Sequence, residues 1–120
     1  MSDRVGFIRH KGVEILYIDW SGASADEMLA AIEAAKKIIA SRPPASVRTL
    51  TNVTNARPDP AVTKALREYV AHNKPFVIAG AVVGLNDLKT VTFNFINRVT
   101  GRSLRAIDSL EQARDWLAAG

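Results

Sequence analysis

Hydrophobic and polar positions along this chain switch between two periods, two residues for strands and 3.6 for helices. RVGFIRH (4–10) and VEILYIDW (13–20) read as strands. Lys11-Gly12 between them marks a tight turn, because glycine adopts positive φ at little cost, and the two strands are expected to pair antiparallel. SADEMLAAIEAAKKIIAS (24–41) carries an apolar stripe through Leu29, Ile32, Ala35 and Ile39 and predicts a helix. Ser24 and Glu27 give it an S-x-x-E capping box, and Pro43 and Pro44 end it. SVRTLTNV (46–53), rich in β-branched residues, reads as a strand.

Asp59 followed by Pro60 predicts a helix start: a capping carboxylate, then a proline whose missing N–H costs nothing at the first helical position. This helix is expected to reach about His72, with Val62, Leu66, Tyr69 and Val70 on its apolar side and Asn73 as a left-handed stop. PFVIAGAVVG (75–84) is apolar without alternation, as expected of a central strand buried on both faces. Asn86 or Asp87 caps a third helix running to about Thr100. SLRAID (103–108) is a short last strand. Ser109 and Gln112 make a second capping box, opening a final helix that carries Leu110, Ala113, Trp116 and Leu117. The order β-β-α-β-α-β-α-β-α implies a mostly parallel five-stranded sheet with four helices, right-handed crossovers and an antiparallel N-terminal hairpin.

The 120 residues fit one domain, 1–120, and 48% hydrophobic with 23% charged residues is a globular balance. No cysteine is present, which excludes disulfides, thiolate metal sites and a cysteine nucleophile and suits a reducing cytoplasm. No apolar run has the length of a transmembrane helix, and MSDRVGFIRHKG lacks the apolar core of a secretory signal. A cytoplasmic location is therefore expected. The net charge of +4 and pI near 9.8 come from dispersed residues with no basic run, which argues against nucleic-acid binding.

Candidate chemistry is sparse. His10 and His72 are the only histidines, and neither has metal-ligand spacing, so no metal site and no cofactor is assigned. GAVVGLND (80–87) is not a phosphate-binding loop. Gly80 is read as permitting close packing and Gly84 as turning the chain, with an anion at the helix start as the alternative. No G-x-S-x-G elbow occurs. Asp19, Asp59, Asp87 and Asp108 fall at strand ends or helix starts, which a parallel sheet gathers on one rim, but capping accounts for Asp59 and Asp87. No catalytic residue is assigned, and the chain is read as a non-enzyme. Thr51, Asn52, Thr54, Asn55 and Arg57 form a polar strand-to-helix corner closed by Asp59. Turn and cap chemistry is one account of it; a recognition surface is the other.

Residues 48–117 resemble the SpoIIAA-like, STAS/SEC14-type family of small bacterial domains. The resemblance rests on L-T-x-V-T before the second helix, H-N-K-P before the central strand, AVVGL at its end, TGR before the last strand and the final EQARDWL. It implies a singly wound β/α superhelix with strands in sequential order and all crossovers on one face. The other face is then polar, covered by chain termini, or used for association or ligands, and the mixed pattern of VRTLTNV fits a sheet incompletely buried on one side. Anti-anti-sigma members of the family are phospho-switches whose acceptor serine opens the helix after this strand. Here that place reads ARPDPAV. Asp59 stands about where the acceptor would be, and the nearest hydroxyls are Thr54 and Thr63. The SEC14 side of the resemblance implies a pocket for a lipid or other apolar ligand.

Two readings follow. The first is a regulatory domain acting through contacts with an unknown protein partner at the 51–63 corner, with Thr54, Asn55, Arg57, Asp59 and Thr63 as its residues and a homodimer as one form. It expects an exposed, unpaired corner and no enclosed cavity. The alternative is a carrier or sensor of a small apolar or amphipathic, lipid-like ligand. It expects a cavity of roughly several hundred Å³ around Gly84, Asn86, Phe93, Phe95 and Ile96. A third, enzymatic reading expects Asp19, Asp59 or Asp87 to converge in a cleft with perturbed ionisation.

Overall fold

The computed structural model describes residues 3–119. Residues Val5–His10 (β1) and Val13–Asp19 (β2) pair antiparallel through all six residues of β1. Lys11 and Gly12 both take positive φ, 51° and 78°, so the turn has the twist that a two-residue hairpin needs. Then come α1 (Ala25–Ala40), β3 (Val47–Asn52), α2 (Pro60–Asn73), β4 (Val77–Val83), α3 (Asp87–Thr100), β5 (Arg105–Ile107) and α4 (Leu110–Ala119). The sheet order is β1-β2-β3-β4-β5, and every pair after the first is parallel.

Alternation along the strands builds two cores. Leu16, Ile18, Val47 and Val53 lie under Met28, Ile32 and Ile39 of α1, Val62 and Tyr69 of α2 and Ile96 of α3. Ile15, Leu50, Ala81 and Val83 face the other way, against Ala113 and Leu117 of α4. The crossover helices thus share one face, and the C-terminal helix covers the other. The Ser24–Glu27 capping box forms with both hydrogen bonds. The Ser109 hydroxyl accepts from the Gln112 N–H at the start of α4.

Three expectations change. Asn73 is the buried last residue of α2 rather than a left-handed stop; its amide oxygen meets His72 Nδ1 at 2.9 Å, and the cap, Lys74, is right-handed. β3 is buried on both faces: Thr49 and Thr51 are 6% and 8% exposed, their hydroxyls facing the helix layer while Leu50 lies under α4. β4 is not buried throughout. Its register against β3 slips between Val47–Val77 and Arg48–Ala79, and Ile78, the unpaired residue of that bulge, is 49% exposed.

Candidate functional site

The strand-to-helix corner is tightly stitched. Val53 donates its N–H to the Val83 carbonyl, Gly22 to that of Thr54, and Arg57 to that of Ala23. Asn52 Oδ1 accepts from both the backbone N–H (3.1 Å) and the hydroxyl (2.7 Å) of Thr54. Asn55 takes a left-handed φ of 57°, and Gly84, at φ +92°, packs directly on Thr54. Asp59 Oδ1 accepts from Val62 N at 2.9 Å, so its carboxylate serves its own helix. The Thr63 hydroxyl donates to the Asp59 carbonyl. Asn55 and Arg57 are exposed.

Behind this corner, between the sheet and helices α2 and α3, lies a mainly apolar pocket of about 130 Å³. Thr49 and Thr51 of β3 floor it, with Trp20 beyond the end of β2, Leu66 and Tyr69 on α2, and Phe93 and Ile96 on α3. Gly80 lets two lining residues pack closely behind it: a Cβ there would lie 2.5 Å from Leu104 Cδ2 and 3.0 Å from Thr49 Oγ1. The far wall, Arg102 and Leu104, is held by Asn97, whose side chain donates to the Leu104 carbonyl (3.0 Å) and accepts from its N–H (3.1 Å). Gly101 makes the left-handed turn after α3 that allows this, at φ 70°. Pro58 is exposed and Thr63, Leu66, Thr92 and Phe93 are half-buried, which puts the opening between α2 and α3.

The polar groups of the lining are distinctive. Trp20 is 3% exposed, its ring 6.4 Å from that of Tyr69, and its buried Nε1–H has no hydrogen-bond partner among the described residues. Arg48 Nε is also buried without a partner, but Arg48 lies outside this pocket. Lys89 Nζ donates to the Val53 carbonyl at 3.0 Å, and Arg102 donates to the Val70 carbonyl at 3.0 Å. Burial pushes both cations below their ordinary pKa values. Burial also pushes the Tyr69 phenol up to about 12. No aspartate or glutamate lines the pocket among the described residues.

Of the ligand-pocket candidates, Phe93 and Ile96 line it; Gly84, Asn86 and Phe95 do not. Phe93 and Ile96 lie three apart on one helical face, whereas Phe95 turns outward, 38% exposed, with the Arg98 guanidinium 5.8 Å from its ring centre. Asn86 is the α3 cap, accepting from Lys89 N at 2.8 Å. Of the corner candidates Thr54, Asn55, Arg57, Asp59 and Thr63, Thr63 alone lines the pocket, together with Thr51, Val53, Ala56 and Pro58 of the same stretch. The cavity is also smaller than the several hundred Å³ expected of a carrier. Trp20, Thr49, Lys89 and Arg102 line the pocket without a local sequence signal for it, and Thr51, expected in the polar corner, turns to the pocket instead.

The carboxylates do not meet. Asp19 Oδ1 accepts from Ser21, both N–H and hydroxyl, Asp59 caps α2, and Asp87 is exposed in the first turn of α3. His10 Nε2 lies 2.7 Å from Asp115 Oδ1, tying the hairpin to α4, and His72 stacks on Phe76. No group of three metal-ligating side chains occurs among the described residues, and no described helix is long and apolar enough to cross a membrane. The outer face of α3 carries a stripe of Leu88, Val91, Phe95 and Val99, from 38% to 80% exposed.

No family model matches the chain, and no curated protein matches it. Among solved structures it is similar to an uncharacterized protein of the DUF3478 family with a SpoIIAA-like fold, from Shewanella loihica PV-4. The TM-score is 0.67 at 18% identity, over 94% of this chain and 91% of that one. With sequential strand order, an antiparallel N-terminal hairpin and the crossover helices on one face, the chain has a SpoIIAA-like fold.

Proposed function

We propose that this chain is a binding domain for a small, mainly apolar ligand seated between the sheet and helices α2 and α3. The observation that carries the reading is the mainly apolar pocket, lined among others by Trp20, whose buried N–H has no hydrogen-bond partner among the described residues. An orphaned buried donor costs about 1–3 kcal/mol, which a ligand acceptor would recover. The volume of about 130 Å³ suits one ring or a short chain; an engineered apolar cavity of about 150 Å³ in another protein binds benzene. Native mass spectrometry of protein purified gently from its own cells tests this reading. A retained small-molecule mass supports it. A bare chain that also fails to take up added p-cresol overturns it.

A second reading, a regulatory domain working through protein contacts at the 51–63 corner, is favoured by the α3 stripe. That stripe begins at Leu88, next to Lys89, whose ammonium holds the Val53 carbonyl of the corner. The occupant it fits most simply is a second copy of the chain. Sedimentation at twice the 13.0 kDa chain mass, returning to one chain mass in Val91→Asp, supports this version. A single chain mass at all concentrations rejects it.

A further inference from the structure

The pocket's electrostatics narrow the ligand further, on the basis of the small-ligand reading above. Its lining offers donors and cations and no acid: the Trp20 Nε1–H, the Lys89 ammonium, the Arg102 guanidinium and the hydroxyls of Thr49 and Thr51. Lys89 and Arg102 each hydrogen-bond a backbone carbonyl, and neither forms an ion pair with a carboxylate among the described residues. A cation drawn partly out of water with only a neutral acceptor retains an uncompensated desolvation cost, and an anion brought to it relieves that cost.

We propose that the pocket selects a small apolar monocarboxylate, one ring or a short alkyl chain bearing a single carboxylate. The head lies at the corner end. Asp19 pairs with Asn52, so Trp20 is level with Val53, the residue whose carbonyl Lys89 holds. The Lys89 ammonium is therefore the cation at the corner end of the lining, while the Trp20 ring packs beside Tyr69 of α2. The apolar body runs along the floor of Thr51 and Thr49 beneath Phe93 and Ile96. Arg102, against Val70 at the opposite end, adds long-range attraction for the anion.

The pair to compare is benzoate and its neutral isostere benzamide, titrated into the wild-type protein in a carboxylate-free, low-salt buffer. The reporter is the Trp20 indole N–H cross-peak in a ¹⁵N correlation spectrum. Trp116→Phe identifies it, since Trp116 lies on the far face of the sheet with α4. Benzoate is expected to move this peak and to bind about tenfold or more tightly than benzamide, the value of one charge-assisted hydrogen bond. Lys89→Met is expected to collapse that ratio toward one, with Lys89→Arg restoring part of it and both spectra remaining dispersed. Equal or tighter binding of benzamide to wild type, or an unchanged ratio in a folded Lys89→Met, overturns the carboxylate assignment and leaves the pocket reading standing. Failure of benzoate, benzamide and p-cresol alike to move the peak overturns both.

Discussion

Replacing Gly84 with alanine tests how the corner and the start of α3 are joined. Gly84 has φ +92°, and a methyl there would lie 2.6 Å from Thr54 N and 2.8 Å from Thr54 Cα, closer still to Thr54 Oγ1. Ordinary contact begins near 3.4 Å, so the backbone of the corner must retreat by more than half an ångström. That backbone is anchored by the Gly22 bond to the Thr54 carbonyl and by the two Asn52 bonds. Two costs add. Placing a Cβ in the left-handed region costs roughly 1–2 kcal/mol, and overpacking against fixed backbone about 1–3 kcal/mol. A loss of about 2–5 kcal/mol is expected, a large part of the ~5–15 kcal/mol that holds a domain folded. With an unfolding entropy of about 2.1 cal/mol/K per residue, Tm should fall by roughly 8–20 °C. Thermal unfolding followed by circular dichroism measures it. Gly6→Ala, in an edge strand with nothing within 4 Å of its added Cβ, is the control and should hold or slightly raise Tm. A Gly84→Ala Tm within about two degrees of wild type would refute the reasoning, because the expected fall is several times larger.

Other outcomes follow from single groups. The Tyr69 phenol is raised to about 12 by burial, from 10.0, so its contribution is intact below pH 10 and is lost as pH rises through 12. A phenolate absorbance titration of wild type against Tyr69→Phe should show this late step, and its absence would mean Tyr69 is hydrated. The Glu27 carboxyl is held at about 2, chiefly by the Ser24 backbone N–H and then by Arg4. Its contribution is present above the unfolded value of 4.5 and is lost as pH falls toward 2, so Glu27→Gln should flatten stability against pH in that window. Asp59→Ala removes the α2 cap and should cost about 0.5–2 kcal/mol, or roughly 2–8 °C in Tm; no change would mean the carboxylate does not serve its helix.

Element order was legible because each segment's period, caps and turn agreed. Ser24 and Glu27, Asp59 before Pro60, and Lys11-Gly12 are local signals whose physics acts within four residues. What failed depended on neighbours. Asn73 at a helix end suits a left-handed stop, but burial beside His72 keeps it helical. Thr49 and Thr51 looked like a half-solvated strand and instead floor a pocket, because hydroxyls suit the wall of a cavity as well as water. Hydrophobicity alone groups Phe95 with Phe93 and Ile96, whereas helical phase sends it outward. Trp20, Lys89 and Arg102 share one pocket lining through contacts far apart in sequence, such as Lys89 with Val53 and Arg102 with Val70, which no local pattern encodes.

The most direct test of the central claim is the Trp20 indole N–H resonance during titration with p-cresol, which has one ring and one oxygen acceptor. A saturable shift of that peak is expected, with movement confined to residues that line the pocket and no change at Trp116. A Trp20 resonance that stays fixed at saturating p-cresol, or that shifts only as much as Trp116, would contradict it.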